Sequence, residues 1–148
     1  MTPHIREARL SDAGVLLELI QQHAAFEQAT ASITKPMLVD ILAAECPPTR
    51  ICVAESPQVL LGYAAVTFDY ALWSAERFAH LDCLFVHENA RGQGVGGRLF
   101  RYICRTVHAA AVKRMEWQTP AWNDDAIRFY VREGGSGRHK MRFSIILP

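Results

Sequence analysis

Apolar positions along this chain follow two periods, and the changeovers fall at Gly, Pro and Asn positions that interrupt regular structure. Ile5 to Ala8 predicts a first strand. Ser11 is placed to cap a helix, with Asp12 in its first turn. Val15, Leu16, Leu19, Ile20 and His23 form that helix's inward stripe, and Phe26 and Glu27 lie near its end. Pro36 suits the first position of a second helix, faced by Met37, Leu38, Ile41 and Leu42 and stopped by Pro47 and Pro48. The runs Arg50 to Glu55 and Val59 to Phe68, joined by Ser56, Pro57 and Gln58, predict a hairpin. A loop around Trp73 and Ser74 leads to another strand, Ala79 to Val86. Beyond a glycine-rich segment, Val95, Leu99, Ile103, Val107 and Ala110 mark a third helix. Met115 to Gln118 reads as a strand, and Asn123 caps a fourth helix reaching about Arg132. Asp124 and Asp125 sit at that helix's positive end and Gly134-Gly135 closes it. Met141 to Leu147 predicts a final strand. The expected class is α/β: one domain over 1–148, a mixed and mostly antiparallel sheet flanked by helices on both faces.

Composition narrows the setting. Half of the 148 residues are hydrophobic and 21% are charged, which predicts a folded core and not a disordered chain. A net charge of +1 implies no nucleic-acid partner. The N-terminus lacks the apolar core of a signal peptide, and no run approaches the ~18 apolar residues of a membrane span. A cytoplasmic location is expected. Cys46, Cys52, Cys83 and Cys104 show no metal-site spacing. Cys52, Cys83 and Cys104 lie among aliphatic residues, as reduced and buried thiols do; a catalytic thiol is the alternative, best met by Cys83.

The glycine-rich segment Arg91-Gly92-Gln93-Gly94-Val95-Gly96-Gly97 opens the third helix. Helix N-termini expose unpaired N–H groups, and glycine lets a phosphate approach them. A P-loop does not fit, because Arg98 and Leu99 stand where Lys and Ser or Thr are needed. Gly92, Gly94 and Gly97 fit a dinucleotide fingerprint, with Glu116 at a suitable distance. Yet four residues and Arg91 separate them from the strand, and about fifty residues remain, few for a dinucleotide sheet. An NAD(P)-binding oxidoreductase is thus a weaker alternative.

Arg91 to Gly96 also matches every fixed position of the Arg/Gln-x-x-Gly-x-Gly/Ala loop and resembles that of the GNAT acetyltransferase superfamily. His80 to Val86 is similar to that family's central strand, and Trp122 to Gly134 resembles its Asn-to-Tyr helix. Within it the chain looks most like the diamine/polyamine and thialysine branch, through Leu19-Ile20 to Ala25-Phe26-Glu27, Gly62-Tyr63-Ala64 and Asp69 to Trp73. Two departures stand out: Phe26 replaces the branch's tyrosine, and Arg138-His139-Lys140 stands where acidic residues help bind a polyamine. A smaller amine, or one with a carboxylate, suits this chain better.

The resemblance implies an acetyl-CoA-dependent N-acetyltransferase acting on a small-molecule amine in a ternary complex, with no metal. It implies that the amides of Arg91, Gly92, Gln93, Gly94, Val95 and Gly96 hold the diphosphate. Leu84, Phe85 and Val86 would pair with the pantetheine arm, and Asn123 and Ala126 are further cosubstrate contacts; Asn123 read alone is simply a cap. An N–H near Leu84 or Phe85 would meet the oxyanion. Tyr130 would be the general acid for the sulfur, where residue type alone reads as a core aromatic. Asp82 lies in an apolar strand, where a carboxylate needs a partner, and Glu27 prolongs an apolar stripe; both are candidates for deprotonating the amine. Phe26, Glu27, Trp73 and Asp82 would line the amine site, with the loop around Trp73 covering it. His80 and His23 read as packed or surface imidazoles. A protein or peptide acceptor and a non-catalytic acyl-CoA-binding module are the alternatives. The branch also implies a homodimer.

Overall fold

In the computed structural model, which describes residues 2–148, the chain forms two compact units, one ending at Gln118 and the other running Thr119–Pro148. The first unit is built from β1 (His4–Glu7), α1 (Ala13–Phe26), α2 (Lys35–Ala43), β2 (Arg50–Ser56), β3 (Val59–Ala71), β4 (Glu76–Val86), α3 (Val95–Ala109) and β5 (Met115–Glu116). Its sheet has the order β1-β2-β3-β4-β5. The first four strands are antiparallel, and β5 returns parallel to β4 after the α3 crossover. This is the mixed, mostly antiparallel α/β arrangement expected from the periodicity.

Strand alternation sends successive side chains to opposite faces. On one face Val53, Tyr63 and Phe85 pack with Leu16 and Leu19 of α1 and Leu38 of α2. Leu60 joins them although it is an odd number of residues from Tyr63, because a bulge between the pairs Ala54↔Gly62 and Glu55↔Leu60 leaves Leu61 unmatched and resets the alternation. The opposite face meets α3: a Cβ on Gly62 would stand 3.3 Å from Leu99 Cδ1. Along α3 the buried stripe is Val95, Leu99, Ile103 and Val107. Cys104, next in sequence to Ile103, is turned about 100° away from it and is exposed, so the expected burial holds for Cys52 but not for Cys104. Cys83 is half-buried.

Ser11 is not the cap of the first helix. A 3₁₀ turn over Leu10–Asp12 precedes α1, and the Asp12 carboxylate accepts the Arg9 N–H at 2.6 Å. Arg6 explains this choice. Its guanidinium donates to both Asp12 oxygens at 2.7 and 2.9 Å and to both Glu55 oxygens at 3.0 Å, tying β1, the turn and β2 together. A planar fork paired with two carboxylates satisfies charges that could not otherwise be buried. At α2, Thr34 is the cap and Pro36 takes the second helical position, not the first.

The β3–β4 hairpin runs further than expected. Tyr70↔Arg77 and Ala71↔Glu76 continue the ladder, and Leu72–Ala75 makes the turn. In the second unit, α4 spans Asp124–Arg132. The Asn123 side chain caps it by accepting the Ala126 N–H at 3.3 Å, and Gly134, at φ +100°, ends it. The strand expected over Met141 to Leu147 is absent: these residues carry no regular structure, and Met141, Phe143, Ile145, Ile146 and Leu147 are exposed. Local β-propensity makes a strand only where a neighbouring strand supplies the ladder.

Candidate active site

Beyond Val86 the chain makes a short 3₁₀ turn over Glu88–Ala90 and enters the glycine-rich loop. Gly92 and Gly94 have φ of +73° and +79°, the left-handed region that glycine occupies without strain. A Cβ at either would meet nothing within 4 Å, so conformation and not crowding requires glycine there. Gly94 is the N-cap of α3 and supplies no side-chain cap. The first-turn amides of Val95, Gly96 and Gly97 therefore lack a capping side chain at the positive end of a 15-residue helix. That fits an anionic group such as a diphosphate.

Arg91 does not simply hang at the loop mouth. Its Nε donates to the Val86 carbonyl at 3.0 Å, and its guanidinium lies 4.8 Å from the Phe26 ring centroid and 5.4 Å from that of Phe85. The loop is thereby fastened to α1 and β4 by cation–π contacts. Gln93 is held by its own hydrogen bond to the Asn89 carbonyl at 3.2 Å.

On the outer side of β4, pairing with β5 covers only Ala79 and His80. The His87 N–H bonds to the Leu61 carbonyl at 2.8 Å, which fixes the alternation of the β3–β4 ladder. Phe85 thus points its amide toward β3, whereas Leu84 and Val86 point theirs to the side where β5 has ended. An extended ligand could add there as a strand does.

A second bulge shapes the strand above this edge. Leu81 pairs with Val66 and Cys83 with Ala65, which leaves Asp82 as an extra residue. Bulges re-aim side chains. Asp82 is exposed, and the partner its apolar surroundings called for is the Cys83 thiol, which donates to its Oδ2 at 3.6 Å. Cys83 packs against the α1 face, beside Tyr63.

Tyr63 is buried, and its hydroxyl lies 2.7 Å from His23 Nδ1. His23 Nε2 lies 2.6 Å from Glu27 Oε2, and the imidazole stacks on Phe85 at 5.1 Å. Burial pulls His23 below its ordinary value against the opposing pull of Glu27. Burial also raises the Tyr63 phenol, and burial and Asp82 push the Cys83 thiol up to about 12, so Cys83 is a poor nucleophile at neutral pH.

Phe26, Glu27, Asp82, Phe85 and Arg91 are therefore drawn to one region of the first unit. Trp73 is not: it stands fully exposed at the hairpin turn, beyond Glu76, and six residues of β4, about 20 Å, separate Glu76 from Asp82. Tyr130 lies half-buried on α4, its ring 5.2 Å from that of Phe129, on the same helix that Asn123 caps and Ala126 opens. Sequence reasoning passed over His23 and Tyr63 as functional groups. The available signals were the four-residue spacing from His23 to Glu27 and a phenol inside an apolar strand, where its hydroxyl needs a partner.

Residues 17–135 match the model of the acetyltransferase (GNAT) family. The chain is 27% identical to the thialysine N-epsilon-acetyltransferase of Bos taurus, over 94% of this chain and 91% of that protein. Its fold is similar to an aminoglycoside acetyltransferase from an uncultured soil metagenomic sample (TM-score 0.82, 19% identity, 99% of this chain and 97% of that one). A ribosomal-protein-alanine N-acetyltransferase of Brucella melitensis is also similar (TM-score 0.78, 15% identity, 98% and 99% covered).

Proposed function

This chain belongs to the GNAT family of acetyltransferases, and from that membership we propose that it transfers the acetyl group of acetyl-CoA to the amine of a small molecule within a ternary complex. The observation that carries the reading is the pairing of an uncapped α3 N-terminus, built on left-handed Gly92 and Gly94, with the stretch of β4 beyond its β5 pairs, where Leu84 and Val86 turn their amides away from β3. Acetyl-CoA supplies the activated acyl group. The amides of Arg91 to Gly96 would hold its diphosphate, and Leu84 and Val86 its arm, with Asn123 and Ala126 as further contacts. Asp82 takes the proton from the ammonium, leaving a lone pair on nitrogen. Tyr130 holds a phenolic proton for the departing sulfur. The family match crosses the boundary between the two units, in support of one acetyltransferase domain over 1–148. The reading extends to a cytoplasmic homodimer.

Release of CoA thiol from acetyl-CoA across an amine library tests it. Wild-type protein should turn over at least one small amine, and Tyr130→Phe should lower kcat by about 100-fold or more. CoA binding without turnover of any amine would instead identify an acyl-CoA-binding module.

A protein or peptide acceptor is the second reading, favoured by Trp73 and Leu72. Both are exposed at the hairpin turn, within reach of a macromolecule. Polypeptide acceptors outcompeting small amines in the same assay would establish it.

A further inference from the structure

Where α1 ends, its inward face carries a carboxylate held by two further polar side chains. His23 Nε2 lies 2.6 Å from Glu27 Oε2, and His23 Nδ1 lies 2.7 Å from the Tyr63 hydroxyl. Tyr63 is 2% exposed, so its hydroxyl needs this partner. Phe85 stacks on the imidazole at 5.1 Å. The helix stops at once beyond Glu27. The Gln28 N–H bonds to the Ala25 carbonyl at 3.0 Å and the Ala29 N–H to the Ala24 carbonyl at 2.8 Å. Gln28 takes φ +61°, the left-handed region that closes a helix and that a residue with a side chain rarely adopts.

From this arrangement we infer that His23 and Tyr63 are positioning residues for the acceptor amine: they hold the Glu27 carboxylate in one orientation, in which it receives the substrate's ammonium. The inference rests on the acetyltransferase reading above. A carboxylate can only accept, so neutral His23 carries its proton on Nε2 and keeps a lone pair on Nδ1 for the Tyr63 O–H. Both ring nitrogens are then satisfied, and the imidazole is not free to turn. His23 occupies Glu27 Oε2, whereas Oε1 has no partner among the described residues. The Glu27 side chain is 35% exposed, so a ligand can reach it.

The charge on Glu27 is also left uncancelled. Burial holds His23 below its ordinary value, against the pull of Glu27 and Asp82, so the imidazole is neutral at pH 7. Arg91 acts on His23 as well. Its guanidinium is engaged by the Val86 carbonyl and the Phe26 and Phe85 rings, and it makes no ion pair with Glu27. The C-terminus of α1 adds its own partial negative charge. A cation with N–H donors suits this place. The titratable neighbours on the sheet are Tyr63 of β3 and Asp82 and Cys83 of β4. When pH falls through the His23 value, the imidazolium cancels the Glu27 charge and ammonium binding weakens.

The test measures kcat and KM by CoA-thiol release, with an amine that wild type turns over, for wild type, Tyr63→Phe, His23→Leu and the double variant. Tyr63→Phe should raise KM for the amine roughly two- to tenfold, the effect of losing one hydrogen bond, and leave KM for acetyl-CoA within about twofold. His23→Leu should also raise it, and should abolish the further rise that wild type shows below about pH 6. The double variant removes both polar partners together, so it should regain the stability that a single variant loses, while its amine KM stays raised. It therefore serves if His23→Leu fails to fold. An amine KM that returns to the wild-type value along with Tm overturns the inference, as does a wild-type amine KM in folded Tyr63→Phe. If wild type turns over no amine, the acetyltransferase reading has failed, and histidine nitrogen NMR tests the arrangement independently. Methylammonium should shift the His23 Nε2 resonance in wild type and not in Glu27→Gln. Tetramethylammonium, which has no N–H, should shift it less at the same ionic strength. An equal response to the two ions, or none, overturns the inference as well.

Discussion

At the scale of single residues, burial decides which charges are structural. Arg6 and Asp12 are both buried, and their bidentate pair holds the Asp12 carboxyl below the ordinary carboxylate range, chiefly through the hydrogen bonds from Arg6. A depressed folded value means that the pair's contribution is complete above the unfolded Asp value, near 3.9, and is lost as pH falls through the folded value. Thermal unfolding followed by circular dichroism should therefore show Tm declining as pH drops below about 4. Arg6→Met strands a carboxylate and should cost about 3–5 kcal/mol at neutral pH; a loss under 1 kcal/mol would show that the pair is dispensable. Thiol reactivity sorts the same way. Burial pushes Cys52, like Cys83, up to about 12, whereas Cys46 and Cys104 are exposed. Ellman's reagent at pH 8 should modify two thiols quickly and two only on unfolding; four fast thiols would contradict the packing.

At the scale of elements, β3 and β4 hold the candidate site in shape. Gly62 is required by close approach: an added Cβ would lie 2.5 Å from the Phe85 carbonyl oxygen and 3.2 Å from Val86 Cα. Both neighbours are backbone, so the strands must move apart. Gly62→Ala should cost about 1–3 kcal/mol in urea denaturation and weaken CoA binding through displacement of Phe85 and Val86. Unchanged stability would show that the ladder yields easily. Gly94→Ala separates conformation from crowding, since nothing would touch the new Cβ at φ +79°. A cost of about 1–2 kcal/mol is expected from the left-handed backbone alone.

At the scale of the whole molecule, saturating CoA should stabilise the folded state. At a hundredfold excess over Kd the gain is about 2.7 kcal/mol, visible as a rise in Tm; no rise at millimolar CoA would contradict the diphosphate site. The homodimer is tested by mass: light scattering at micromolar concentration should give twice the 16.6 kDa of one chain. A value near one chain mass would remove the dimer from the proposal.

The amino-acid pattern by itself determined the order of elements from β1 to α4, the loop at Arg91 to Gly97, and the caps at Asn123 and Gly134. These depend on local periods and on backbone preferences of single residues, which a linear chain displays directly. Tertiary structure decided the rest. It recruited Asp12 to Arg6 in place of a cap at Ser11, exposed Asp82 by a bulge, and left 141–147 without a ladder. It also joined His23 to Tyr63 across forty positions. Bulges, strand partners and buried hydrogen bonds depend on which distant segments meet, and that information lies in no single window of sequence.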